Sequence, residues 1–395
     1  MQTKKFDIVI VGAGLIGSAL ALMLAKKKSL GGNKNFTIAL VERSEQLQVN
    51  VNPNQRVVAL GKLATDVLDE VGVMQSLSVD TCYPYQSMYV WDENSDGQLF
   101  FEAQNLKHDR LGYMIDSVQC TIELQKKVAR CNNIHSFYGA KPESLERDAQ
   151  GVKLTFDQTV LSTSLVVAAD GGNSWVRTQS KIFANHRSYN QYGIVAKIET
   201  EKVHEDTAWQ RFLSTGPIAL LPVSDNQCSI VWSVTSDYSE QLMSISDADF
   251  EIALQNAIEN KLGKVTLLSK RVAFPLVSQQ AEKYFVRNTV LVGDAAHRIH
   301  PLAGQGANLG FKDIRTLSDI LCTDSVDSLA DIHLLKRYQS LRQSDNNQVD
   351  LMMSALHHAY ELSMPAWLSL RSVGMNLINR SEALKSWLLG QASGK

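Results

Sequence analysis

Three carboxylates carry the first chemical signal in this chain. Glu42, Asp170 and Asp294 each follow a short apolar run, Phe36 to Val41, Leu165 to Ala169 and Thr289 to Val292. Such runs read as buried strands, which puts each acid at a strand's carboxyl end. In open α/β sheets that end is where ligands bind. Three acids so placed point to one shared ligand, long enough to reach all of them. Glycines stand beside them. Gly12-Ala13-Gly14-Leu15-Ile16-Gly17 directly follows the strand Phe6 to Val11 and opens a helix running to about Lys27. That is G-x-G-x-x-G in its required context of strand, turn, helix, strand and terminal acid. Gly12 permits the tight turn, Gly14 lets the backbone approach a pyrophosphate, and Gly17 lets helix and strand pack closely. Glu42, 25 residues after Gly17, can accept hydrogen bonds from ribose hydroxyls. The pattern indicates an adenine dinucleotide without a 2′-phosphate and leaves NAD and FAD both open.

The stretch Thr289 to Asp313 adds a second polar surface. Gly293-Asp294 ends the strand, a loop with Pro301 and Gly304 follows, and the spacing of Ala307, Gly310, Ile314, Leu317 and Leu321 predicts one face of a helix after Gly306. A helix N-terminus favours negative charge through its free N–H groups and dipole. His297 and His300 are candidates for proton handling or for a hydrogen bond that orders the loop. Arg56, just before an amphipathic helix (Leu63, Val67, Leu68, Val71) that Gly72 ends, reads as a cofactor contact or as a surface arginine. No Ser/His/Asp nucleophile is signalled. Only one G-x-G-x-x-G occurs, so a second dinucleotide is not stably held.

The elements that must position these groups suit a soluble α/β protein of two or three domains: 395 residues, 44% hydrophobic, 20% charged, net charge −2. Nothing suggests a nucleic-acid footprint. Five cysteines, at 82, 120, 131, 228 and 322, show no CxxC or Cys/His metal spacing and fit a reducing cytosol. The uncharged run Ile8 to Ala25 has the length of a membrane segment. Its split into a β-branched part and a Gly-spaced part predicts strand–turn–helix instead. A hairpin is expected from Thr81 to Glu102, and antiparallel strands over Tyr192 to Thr200, Ile218 to Val223 and Cys228 to Thr235. Asp247 to Leu262 reads as a helix and the chain from Leu334 on as helical. Trp209, Phe212, Trp232 and Phe274 lie in the antiparallel region and are candidates for the wall of a pocket for a flat, greasy ligand, or for ordinary core. Trp367, Leu370, Val373, Leu377 and Trp387 either pack on the body or touch a membrane surface.

The glycine fingerprint, Asp170-Gly171 and Gly293-Asp294, in that order and spacing, resemble the three motifs of the class A FAD-dependent aromatic hydroxylases, whose fold is that of p-hydroxybenzoate hydroxylase. Gly293-Asp-Ala-Ala-His297, His300-Pro-Leu-Ala-Gly-Gln-Gly306 and Asn308-Leu-Gly310, with Val90-Trp91-Asp92, Gly112-Tyr113, Asn173-Ser174-Trp175, Leu221-Pro222 and Cys228-Ser-Ile-Val-Trp232, resemble more narrowly the ubiquinone-biosynthesis hydroxylases, above all the one acting at ring carbon C5. The relatives acting at C6 and C1 stay open. So do a small soluble aromatic acid as substrate and a non-catalytic flavin-binding subunit.

The resemblance implies an α/β fold: a Rossmann-like FAD-binding domain (1–80, 108–180, 280–345), an α+β substrate domain built on an antiparallel sheet (81–107, 181–279) and a helical C-terminus (346–395). It implies FAD held by Gly12, Gly14, Gly17, Glu42, Arg43, Arg56, Asp170, Gly171, Gly293, Asp294, Pro301, Gly304, Gln305, Gly306, Ala307 and Asn308. It also implies a transient reductant, NAD(P)H or another donor, and hydroxylation of a polyprenylated phenol with O2 through a C4a-hydroperoxyflavin. The backbone of Pro301 is placed over the reacting face. A cytoplasmic location follows. A peripheral place at the inner membrane surface, contact with other proteins of the pathway and a homo-oligomer stay open. Arg298 departs from the family, which carries a small hydroxyl residue there, and its expected place is in solvent.

Overall fold

The computed structural model describes residues 2–27, 35–48, 56–106, 108–148, 151–299, 304–322, 328–361 and 364–393. Its first sheet is built on the strand Gln2–Val11, whose residues Ile8, Val9 and Ile10 are fully buried. Both faces of a parallel strand are covered, so its sequence is apolar throughout rather than alternating. Gln2–Val11 pairs in parallel with Thr159–Ala168 on one side and with Ile38–Val41 on the other. Thr289–Leu291 extends the sheet beyond Thr159–Ala168, and Ile134–Phe137 extends it beyond Ile38–Val41. The helix Leu15–Ala25 packs against three others, Lys62–Glu70, Ser117–Val128 and Gln305–Leu321. The run Ile8 to Ala25 is thus strand, turn and buried helix, as expected.

The second sheet has nine strands and is mostly antiparallel. Its centre is the long strand Ala184–Thr200, paired with Gln227–Thr235 and Val272–Ala281. Ile218–Ser224, Thr207–Phe212 and the hairpin Ser87–Asp92/Gln98–Glu102 complete one side. The short strand His297–Arg298 joins the other edge, antiparallel to Gln279 and Gln280. The chain just after the third acid therefore touches both sheets.

The expected hairpin from Thr81 to Glu102 needs correction. Cys82–Tyr85 does not belong to it; that segment pairs with Gly112–Asp116 in a separate three-stranded sheet with Val57–Leu60. Pro84 has no N–H to give to a ladder, which suits the edge position that Cys82–Tyr85 takes. The helix expected to reach Leu262 ends at Ala257, because Glu259 and Asn260 turn into positive φ. Beyond residue 331 the described residues form the helices Ile332–Glu361, Pro365–Arg380 and Glu382–Ser393.

Candidate functional site

Parallel pairing places Glu42, Asp170 and Asp294 along one edge of the first sheet, just past the ends of Ile38–Val41, Thr159–Ala168 and Thr289–Leu291. Between the first two lies the glycine turn. Gly12 has φ +106°, and a Cβ there would stand 2.3 Å from the carbonyl oxygen of Ala169. A Cβ on Gly17 would stand 1.9 Å from the carbonyl oxygen of Gly12. These two glycines are required by the fold itself. Gly14 differs: a Cβ there would meet nothing within 4 Å, and the same holds at Gly171 and Gly306. These three glycines border the open cradle rather than the packed interior.

The acids are held differently. Glu42 accepts from the Ala13 N–H at 2.8 Å through one oxygen and from the Ser44 N–H at 3.0 Å through the other. Each oxygen retains a lone pair for a hydroxyl donor. Asp170 Oδ2 accepts from the Val176 N–H at 3.1 Å, while Oδ1 is buried without a partner among the described residues. Burial raises the Asp170 carboxyl above its usual range, against the pull of hydrogen bonds from Ser174, Val176 and Trp175. For Asp294, no hydrogen bond to its carboxylate is found among the described residues; its backbone carbonyl accepts from Gln279.

Several residues that the motifs did not mark hold this edge together. Arg177 is buried and donates to the carbonyl of Ala295 at 2.9 Å and to that of Gly172 at 2.9 Å, tying the second acid loop to the third. Gln125 donates to the Ala13 carbonyl at 2.8 Å and accepts from the Leu47 N–H. Asp313 is fully buried and accepts from the Gly293 N–H at 2.8 Å, from His297 at 2.6 Å and from Arg342 at 2.8 Å. Burial opposes its ionisation, but His297 and Arg342 hold its carboxyl below the usual range. A signal for Asp313 and Gln125 exists in the sequence. Each falls on the apolar stripe of its helix, beside Gly310, Ile314 and Leu317 for the first and Thr121 and Val128 for the second.

The other sequence candidates fall out as follows. His297 is 1% exposed, bonded to Asp313 and stacked on Tyr284, so its ring orders the loop. His300 and Pro301 lie outside the described residues. Gly304 takes φ +62° at the start of the helix Gln305–Leu321, and Gln305, Gly306 and Ala307 form the helix's partly exposed first turn. The Asn308 amide clamps that turn to its neighbour: it donates to the Ala59 carbonyl and accepts from the Gly61 N–H, both at 2.9 Å. Arg43 and Arg56 are exposed. Arg298 is half-buried against Gly172, where a Cβ would stand 2.9 Å from its Cδ, rather than in solvent.

Of the four pocket aromatics, Trp209 and Trp232 need correction. Side chains alternate across a strand. Trp232 packs against Tyr238 and Phe250, and Trp209 belongs to the same cluster, under the helices Ser236–Ser244 and Asp247–Ala257. Ala208, next to Trp209, instead faces Tyr83 and Met114 of the three-stranded sheet. The two tryptophans therefore point to the face turned away from the first sheet. Phe212 is on the near face but is stacked on Tyr360 at 3.8 Å. Phe274, half-buried over Gly193, lies on the face opposite Trp232.

The residues present fit FAD. Two glycines close the turn, three leave room along a line of three acids, and a buried Asp170 oxygen awaits a donor. The N-terminus of Gln305–Leu321 offers N–H groups and a positive dipole end at the same edge. We expect Gly14→Val to unfold at the same temperature as the parent, since its side chain meets open space, but to retain flavin on the order of tenfold more weakly. Flavin content and thermal unfolding of the two purified proteins check this.

Residues 5–350 match the model of the FAD binding domain family. The fold is shared with p-nitrophenol 4-monooxygenase from Pseudomonas putida (TM-score 0.79, 16% identical, all of both chains). It is shared also with PqsL from P. aeruginosa in complex with 2-aminobenzoylacetate (TM-score 0.77, 20% identical, 94% of this chain and all of that one). The class that the family model defines is thus that of the FAD-binding proteins. Among full-length relatives, 3-demethoxyubiquinol 3-hydroxylase of Escherichia coli is 31% identical over all of both chains. The ubiquinone biosynthesis monooxygenase COQ6 of Caenorhabditis elegans is 31% identical over 99% of this chain and 96% of its own. The chain belongs to this family of ubiquinone biosynthesis monooxygenases.

Proposed function

We propose that the protein hydroxylates the aromatic ring of a polyprenylated phenol on the way to ubiquinone, at ring carbon C5. The observation that carries the substrate class is the apolar contact between the second sheet and the three-stranded sheet, next to the start of the helix Gln305–Leu321. Ala59, 3.7 Å from where a Gly304 side chain would begin, belongs to an apolar cluster with Val57, Tyr83, Met88, Met114, Ala208 and Leu221. A small aromatic acid would need a cation beside this cluster. Arg211, the arginine on the adjacent strand, points the other way, to the Ala257 carbonyl and Glu259. The names of the full-length relatives support the pathway.

When bound, reduced FAD supplies the activation of dioxygen for transfer of one oxygen atom to an electron-rich ring. The chain's own part is to position and to exclude. Glu42 and the Gly12–Gly17 turn hold the adenosine and pyrophosphate end. Asp294 holds the ribityl chain. The first turn of Gln305–Leu321 would hold the flavin ring, where its N–H groups and dipole would favour negative charge. The apolar cluster keeps water from the reacting ring. Electrons come from a donor that visits briefly, NAD(P)H or another, because the chain has one dinucleotide fingerprint.

The E. coli relative's name, a hydroxylation at position 3 of a demethoxyubiquinol, is the competing assignment of ring position. Mass spectrometry of the quinone intermediate that accumulates in a deletion strain decides. An intermediate lacking the C5 hydroxyl is expected; one already hydroxylated there overturns the assignment. Purified yellow protein that oxidises its reductant with O2 but leaves a prenylphenol unchanged overturns the substrate class.

A further inference from the structure

Tyr83 and Tyr85 stand two residues apart on the edge strand Cys82–Tyr85, so both lie on one face, the one packed with Met88, Ala208 and Leu221 of the second sheet. Their hydroxyls differ. Tyr83 donates to Asp206 Oδ1 at 2.8 Å. The Tyr85 hydroxyl has no hydrogen-bond partner among the described residues, and burial alone pushes its phenol up to about 12. It is not sealed in like the partnerless indole N–H of Trp232. The side chain keeps part of its surface open. Tyrosine hydroxyls this deep ordinarily have a partner. The ring lies over Gly112, its neighbour on the middle strand, where a Cβ would stand 3.2 Å from Tyr85 Cε1 and 2.2 Å from the Leu60 carbonyl oxygen. A side chain at 112 would crowd the ring. The third strand, Val57–Leu60, is clamped by Asn308 to the first turn of Gln305–Leu321. Tyr85 thus packs on the apolar cluster of Ala59, Met114 and Leu221, and also on that of Phe101 and Phe212.

We infer that the Tyr85 hydroxyl holds the ring oxygen of the substrate and so sets which ring carbon is presented to the flavin. The inference rests on the proposed phenolic substrate and names the residue that orients it. Apolar contact with Ala59, Met88, Met114 and Leu221 has no direction of its own. It buries an aromatic ring but leaves it free to turn in its plane. One donor at a fixed point removes that freedom, and the reacting carbon must be placed to well within an ångström. Tyr85 is the cluster's available donor. The Tyr83 hydroxyl is committed to Asp206, with Asp225 Oδ1 at 3.4 Å, and Arg211 points away. With its phenol raised, Tyr85 stays protonated at neutral pH and donates to the substrate's oxygen rather than competing with it for a proton.

The test sets the FAD-loaded parent and Tyr85→Phe against two ligands, a short-chain prenylphenol and the matching prenylbenzene, which lacks the oxygen. Binding is read from flavin fluorescence and needs no turnover. The parent is expected to bind the phenol about tenfold more tightly than the hydrocarbon, and the variant to bind the two about equally, since one hydrogen bond makes the difference. The phenylalanine ring keeps the packing, so flavin content and thermal unfolding are expected to match the parent. In turnover the variant should still oxidise its reductant with O2. A severalfold smaller share of that oxygen should reach the ring, the rest leaving as hydrogen peroxide with the donor's two electrons. A parent without preference for the phenol overturns the inference, as does a variant that keeps the preference and the product yield. A variant that loses both ligands equally overturns it too, because the ring's packing and not its hydroxyl is then at work. If in these cases the parent hydroxylates the prenylphenol, the proposed substrate stands. A parent that binds neither ligand removes the substrate and the role of Tyr85 together.

Discussion

Asp313→Ala is expected to destabilise the first domain by about 3–5 kcal/mol, because removing one partner of a buried pair leaves the other charge uncompensated. Arg342, 3% exposed at its side chain, would lose its carboxylate, and His297 and the Gly293 N–H would lose their acceptor. The last loss bears on function, since Gly293-Asp294 is the third acid's turn. Chemical denaturation should therefore show a lower midpoint, and flavin should be released before the bulk of the protein unfolds. The double variant Asp313→Leu/Arg342→Met separates the two effects. It removes both charges and is expected to recover much of the stability, but not flavin retention, because the Gly293 N–H still has no anchor. Equal recovery of both would show that Asp313 only stabilises. The acid dependence has a definite sign. Asp313's carboxyl is held below its usual range. Its contribution is therefore complete above the unfolded value of about 4 and is lost as pH falls through the lower folded value. Asp313→Ala should show a shallower loss of stability over that acid range than the parent.

The two kinds of acid in this site show what the sequence can and cannot convey. Glu42, Asp170 and Asp294 were legible because a parallel strand buried on both faces reads as an unbroken apolar run, and its end is marked by the first charge. The glycines were legible because their spacing has a steric cause, visible here in the short distances from Gly12 and Gly17 to neighbouring carbonyls. Asp313, Gln125 and Arg177 act through tertiary contacts. Their partners are 20, 112 and 118 residues away; the apolar stripe of a helix marks Asp313 and Gln125 as buried, but no local pattern names the partner of any of the three. The substrate sheet fails for a different reason. Strand parity sorts Trp209 from Ala208, but it does not say which set faces the first sheet. That depends on where the helices 236–257 dock. Cys82–Tyr85 was misplaced for a related reason: alternation continues through a change of partner strand.

Arg371→Ala should produce the opposite separation. Arg371 donates to both oxygens of Asp92, at 2.9 and 2.8 Å, and lies over the Tyr360 ring at 4.4 Å. Side-chain exposures of 7% and 1% make this a buried pair. Asp92 ends the strand Ser87–Asp92 of the substrate sheet, and Arg371 is on Pro365–Arg380, so the pair fastens the C-terminal helices to the sheet. Asn379 adds a bond to the Phe100 N–H at 3.0 Å. Truncation leaves a buried carboxylate alone, at a cost of about 3–5 kcal/mol. That matches what the four other polar contacts, from Asn376, Asn379, Lys385 and Ser386, supply together at about 1 kcal/mol each. The helices after residue 364 should therefore open without unfolding the rest. Hydrogen exchange is expected to rise in 365–393 and in the hairpin 87–102, while the three acid loops keep both their protection and their flavin. Asp92→Asn with Arg371→Gln restores a neutral hydrogen bond of similar shape and should return most of the protection. Loss of flavin in Arg371→Ala would contradict this view, since it would mean that the C-terminal helices support the cofactor edge as well as the substrate sheet. Retained flavin with exposed helices would place the two functions on separable parts: the dinucleotide on the parallel sheet, and access to the ring on the helices that cover Phe212.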